Sequence, residues 1–177
     1  MNWQIHLPAL ILAVPLLGAF AVPLFSLGGK TLRHACLVVI SIVTFIFAFL
    51  LWKNVLATGT QVYVMGGETS ALTLPSGMTF PVRIILQVDA FSAFMALVGS
   101  IASMAGAFFS IHFMEKSSGA ARFTSLFLIL TAGMLGMMIT GDLFNFFVFL
   151  EIASIASFGL VAFWRDKPEA IEASFKY

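Results

Sequence analysis

The sequence predicts an all-α integral membrane protein with five transmembrane helices and a small external β-hairpin between helices 2 and 3. Three observations carry this prediction. Hydrophobic residues fill 60% of the 177 positions and charged residues only 10%, more apolar surface than a water-soluble core needs. Five apolar runs are long enough to cross a hydrocarbon layer about 30 Å thick. The basic residues gather in alternate connecting loops. A net charge of +1 without a basic cluster gives no support for nucleic acid or for an anionic-lipid switch.

The first span, 7–27, holds Pro15 and Pro23, which predict a kink. It imitates a signal peptide, since Ala19-Phe20-Ala21 has the form of a cleavage site. No Lys or Arg precedes it, however, while Lys30 and Arg33 follow, so a retained helix fits better. The second span, 35–52, is rich in Phe, Ile and Val and closes on Trp52 as an interfacial anchor. Residues 53–89 are rich in Gly, Thr, Ser and Pro and cannot cross a bilayer. Within them, 61–65 is β-prone, and Val82, Ile84, Leu86 and Val88 alternate with Arg83, Ile85 and Gln87, predicting a hairpin on the membrane surface. The third span, 90–113, and the fourth, 123–140, carry small-x-x-x-small pairs, Ala102 with Gly106 and Ala132 with Gly136, suited to close helix packing. The fifth span is 142–164, and 165–177 reads as a cytoplasmic tail, the whole forming one membrane domain over 1–177.

Orientation follows from the loops. Lys30, Arg33, Lys116, Arg122, Arg165, Lys167 and Lys176 fall on one side, and Lys53 and Arg83 on the other. Seven against two places the first group in the cytoplasm, with the N-terminus outside and the C-terminus inside.

Glu151 is the residue that points to chemistry. It lies about 12 Å along the helix from Leu143 and about 20 Å from Trp164, beyond snorkelling reach of either surface. A carboxylate at that depth must be protonated, paired or facing water, and marks a functional site unless it serves as structural glue between helices. All nine Lys and Arg lie in predicted loops, so its partner has to come from elsewhere. Ser154, Ala153 and Ser157 are expected to put a small-residue contact on the same side of the helix, ready for another helix to cover.

The same stretch, D-L-F-N-F-F-V-F-L-E from Asp142 to Glu151 followed by small residues, resembles the fifth helix of the antiporter-like membrane subunits of complex I, membrane-bound hydrogenases and Mrp-type sodium/proton antiporters. V-Y-V-M-G-G and Q-V-D-A-F-S resemble the family's segments before and into its third helix, with 68–78 as extra loop. The resemblance implies that Glu151 belongs to a proton path and pairs with a lysine on a seventh helix. A shift of that lysine by one or two ångströms would load or release the proton. It covers nearly the whole chain but only about the first third of a family subunit. It therefore implies a partner chain supplying the remaining antiporter helices and a lysine near Glu151, alongside other membrane subunits. It also implies a multi-pass protein of the cell inner (plasma) membrane.

Other residues carry less. Asp142, about half a turn of the wheel away from Glu151, reads as a helix cap, with an ion-admitting ligand as the alternative. His112, near the inner end of the third span, is a relay candidate or a packed interfacial histidine. Lys176 sits in E-A-S-F-K-Y, which resembles the start of the family's sixth helix, where a lysine joins the inner proton path. Cys36, the single cysteine, reads as a small packed hydrophobe. No phosphate loop, nucleophile triad, metal-ligand spacing or haem pair stands out, so neither a cofactor nor covalent catalysis is expected. The leading expectation is a subunit of a multi-subunit cation/proton-translocating complex; the alternative is a structural or assembly subunit without transport of its own.

Overall fold

A computed structural model describes residues 3–66, 72–73, 75, 78–80, 84–114 and 119–177. A short 3-10 turn, Trp3–His6, leads into α1 (Leu7–Ser26), followed by α2 (Lys30–Thr58), α3 (Ala90–Phe113), α4 (Ala120–Ile139), α5 (Leu143–Val161) and a short α6 (Pro168–Lys176). Five of these helices are long and apolar enough to cross a membrane, as the hydropathy predicts. α1 is one continuous helix through Pro15 and Pro23, neither of which can donate the N–H bond back one turn.

The boundaries shift where polar residues continue a helix that hydropathy cuts short. α2 is 29 residues long because nothing between Gly29 and Gly59 breaks a helix; both glycines adopt positive φ, 108° and 84°, and stop it. Lys30, Arg33 and Lys53 therefore lie in α2, and Arg122 in the first turn of α4, rather than in loops. The predicted tail contains α6, opened by Pro168 and Glu169 in its first turn. Lys116 and Arg83 lie outside the described residues.

α1 packs against α2 and α4, α2 against α3, and α3 against α4, closing a four-helix ring; α5 packs on the outside of α4, and α6 on α5. The buried stripe of α3 is Ala93, Ala96, Ser100, Ser103, Ala107 and Ser110, a heptad-like seam of small side chains. The expected Ala102 contact is not made, since Ala102 is exposed and Gly106 meets the Phe127 ring only half-buried. The seam carries one interhelical bond: Thr131 donates to its own helix at the Phe127 carbonyl, and the Ser103 hydroxyl lies 2.7 Å from Thr131 Oγ1. On α4 the expected pair holds. Ala132 and Gly136 are both buried, with Gly136 beneath the Phe149 ring of α5.

The hairpin is present. β1 (Gln61–Val64) pairs antiparallel with β4 (Ile85–Val88), Gln61 opposite Val88 and Val64 opposite Ile85. Within β4 the alternation holds, because Leu86 and Val88 are fully buried in the helical core while Gln87 faces out; Ile84, of the same expected set, precedes the strand and is exposed. A second ribbon joins β2 (Leu72–Thr73) to β3 (Thr79–Phe80). Residues 68–71, 74, 76 and 77 of the expected extra loop, and 82–83 of the expected strand, lie outside the described residues.

Candidate functional site

α5 starts where it does because Asp142 caps it. One carboxylate oxygen accepts the Asn145 N–H at 2.6 Å, and the other accepts the Ile85 N–H of β4 at 3.2 Å. Next to it the Gly141 N–H donates to the Ile85 carbonyl at 2.8 Å. Asp142 is thus both the cap and the clasp between α5 and the hairpin. Asn145, a buried polar residue that the sequence reading passes over, donates from Nδ2 to Thr140 Oγ1 at 3.1 Å and fixes the same corner. Its signal was a lone amide three residues after an acid in an otherwise apolar run.

From this anchored head, α5 turns Asn145, Phe149, Ala153 and Ala156 toward α4. Ala153 lies against Gly133 of α4, so closely that a Cβ on Gly133 would stand 3.0 Å from the Ala153 Cα. Glu151, two residues earlier, points to the far side, about 200° around the helix, and is exposed. The expected sharing of one side is therefore corrected. Ala153 meets α4 of this same chain, Ser157 donates to the Ser154 carbonyl at 2.8 Å, and Glu151 stands with Phe147, Ile155 and Phe158 on a face that α1 to α4 leave uncovered. Two residues apart, side chains on a helix cannot share a face.

Among the described residues Glu151 has no hydrogen bond and no ion pair. α6 approaches one end of its face, at Phe158. The Ser174 hydroxyl donates to the Phe158 carbonyl at 3.2 Å, and the Tyr177 ring meets Phe158 edge-on at 5.9 Å. Phe158 lies one heptad beyond Glu151, about 10 Å along α5 and only about 20° away around it. Lys176 is exposed and paired with Glu172 within α6. His112 is exposed in the last turn of α3, a helix that packs on α2 and α4. Neither is brought into contact with Glu151. No three His, Cys, Asp or Glu residues converge to hold a metal among the described residues.

Residues 140–177, which include Glu151 and its anchored helix, match the family model described as "NADH:quinone oxidoreductase/Mrp antiporter, TM", and residues 74–124 match "NADH-Ubiquinone oxidoreductase (complex I), chain 5 N-terminus". This chain belongs to the antiporter-like membrane subunit family. The antiporter-like chain is 32% identical over 165 residues to a probable K(+)/H(+) antiporter subunit of Rhizobium meliloti, covering 90% of itself and 28% of that protein. It is 32% identical over 183 residues to an NADH-quinone oxidoreductase subunit of Desulforudis audaxviator, covering 97% of itself and 32% of the relative. Among solved structures it superposes on a chain of the membrane-bound sulfane sulfur reductase, an archaeal respiratory membrane complex, with a TM-score of 0.80 and 34% identity, over 96% of itself and 33% of that chain. The antiporter-like chain thus spans about a third of the length of these relatives.

Proposed function

We propose that this multi-pass membrane chain is a subunit of a cation/proton-translocating complex and contributes Glu151 as the switchable acid of its path. One observation carries the proposal. A carboxylate sits at the middle of a membrane-length helix, exposed, without a partner among the described residues, on a face that also exposes Phe147, Val148, Ile155 and Phe158. Lipid cannot accept such a group, so protein or water has to cover it.

The occupant is a helix bearing a lysine, supplied by other antiporter-family segments of the complex. α6 supports this, because Ser174 and Tyr177 at its end meet Phe158, on the same face as Glu151. A lysine close to Glu151 favours the ionised acid, and its withdrawal favours the protonated one, so a small helix movement loads or releases a proton. Asp142 anchors the outer end of this helix. His112 and Lys176 serve, in this reading, at the inner surface. The N-terminus faces outward and the loop holding Lys116 faces the cytoplasm of a cell bounded by its plasma membrane, as the basic residues require. The relatives named as K(+)/H(+) and Na(+)/H(+) antiporter subunits support transport.

Glu151→Gln tests the proposal in the intact complex reconstituted into vesicles. The amide keeps size and hydrogen bonding, so complex yield should be unchanged while ion flux falls at least about tenfold, the loss expected when a proton-transferring group is removed. Glu151→Asp should recover part of the flux. Wild-type flux in an intact Glu151→Gln complex would leave the residue as interhelical glue.

A further inference from the structure

At the end of the bundle opposite the hairpin, α4 and α5 part around a groove of about 480 Å³. That volume lies within the range of small-molecule sites. Its mouth holds Arg122, Arg165 and Asp166, and its deeper wall is Leu126, Ile155 and Gly159. The polarity changes with depth. Arg122 is in the first turn of α4 and Arg165 follows the end of α5, whereas Leu126 lies about 6 Å further in and Ile155 about 9 Å inside the last residue of α5. The two helix ends are held together by Phe123 and Phe163, edge-on at 5.4 Å, and beside them is Trp164, a residue type that gathers at membrane–water interfaces. The Arg122 guanidinium lies over Gly119, where a Cβ would stand 2.9 Å from Nη2. Neither arginine, nor Asp166, has a hydrogen bond or ion pair among the described residues. The sequence shows no basic cluster here, because the two arginines are far apart in the chain and only the α4–α5 packing brings them to one groove.

We propose that this groove binds one phospholipid whose headgroup carries a primary ammonium as well as a phosphate, as in phosphatidylethanolamine. The phosphate sits between Arg122 and Arg165, the ammonium meets Asp166, and an acyl chain lies against Leu126, Ile155 and Gly159. Charge complementarity selects this occupant. Two guanidinium forks, unpaired among the described residues, suit a phosphate. A carboxylate in the same mouth opposes a purely anionic headgroup and suits an ammonium that can donate hydrogen bonds.

The test places the complex containing this chain in bilayers of equal parts phosphatidylethanolamine, phosphatidylglycerol and phosphatidylcholine, strips it in detergent, and counts retained lipids by native mass spectrometry. The difference between wild-type and variant complexes reports this groove alone. Wild type should retain one more phosphatidylethanolamine per chain than the Arg122→Gln/Arg165→Gln double variant, whose occupancy should fall about tenfold or more, as expected for losing charge-assisted bonds. Asp166→Asn, which leaves both arginines in place, should shift retention toward phosphatidylglycerol. Equal phosphatidylethanolamine on wild type and double variant, as when a neighbouring protein fills the groove, overturns the proposal. So does a wild-type preference for phosphatidylglycerol.

Discussion

Gly133 of α4 lies against the backbone of Ala153 in α5, so that a Cβ built on the glycine would stand 2.8 Å from the Ala153 amide nitrogen. This contact decides which way α5 faces. Backbone cannot yield as a flexible side chain can, so Gly133→Val should drive α5 off α4 and cost about 1–3 kcal/mol, the usual range for overpacking. Gly99→Ala is the comparison, because its added methyl presses on the end of Met138, at 3.2 Å, which can swing aside, and meets Leu135 Cδ2 at an ordinary 3.6 Å. Thermal unfolding in detergent should show a clear loss for the first and little change for the second.

Asp142 uses both carboxylate oxygens, one on α5 and one on β4. An asparagine offers one acceptor. Asp142→Asn should therefore keep the helix cap and lose the bond to Ile85, costing about 1–3 kcal/mol for a part-buried N–H left unpaired. Judged as a helix cap alone, the exchange would be close to neutral. Faster hydrogen exchange at the Ile85 amide, with α5 still protected, is the expected signature.

Asp89 caps α3, accepting the Ser92 N–H at 2.7 Å, and this bond, with further hydrogen bonding from Ser92, holds its carboxyl below the usual aspartate range. The folded state thus favours the ionised form. Its contribution is fully present above the unfolded aspartate value of about 3.9 and is lost as pH falls through the lower folded value. Asp89 is exposed and solvent-screened, so the effect is small. Asp89→Asn should match wild type near pH 7 and show a shallower loss of stability below about pH 4 in acid titrations followed by circular dichroism.

The orientation deduced from basic residues is checked by labelling. In a Cys36→Ser background, a cysteine at exposed Met78 should react with an impermeant maleimide on intact cells. A cysteine at Lys167 should react only after permeabilisation. The reverse pattern would invert the topology.

The sequence by itself determined the five spans, a hairpin drawn from 61–65 and 82–88, the cap at Asp142 and the place of Glu151 midway along its helix. Each is local: run length, alternation, a capping acid before an apolar run, and a count of residues from the helix ends. It placed the ends of α2 less well, since hydropathy ends at the polar residues while the helix continues to Gly29 and Gly59. Only the tertiary structure decided that Ala153 is covered and Glu151 is not, that α3 buries Ala93 through Ser110 rather than Ala102, that Asp142 also holds the hairpin, and that Arg122 and Arg165 share a groove. The reason is physical. α5 is apolar on nearly every side, so its residues carry no periodicity to mark the packed face, and lipid imposes none. In water the hydrophobic effect writes the buried face into the sequence, whereas in a membrane the close approach of small residues such as Gly133 and Ala153 selects it, and that approach exists only once both helices are in place.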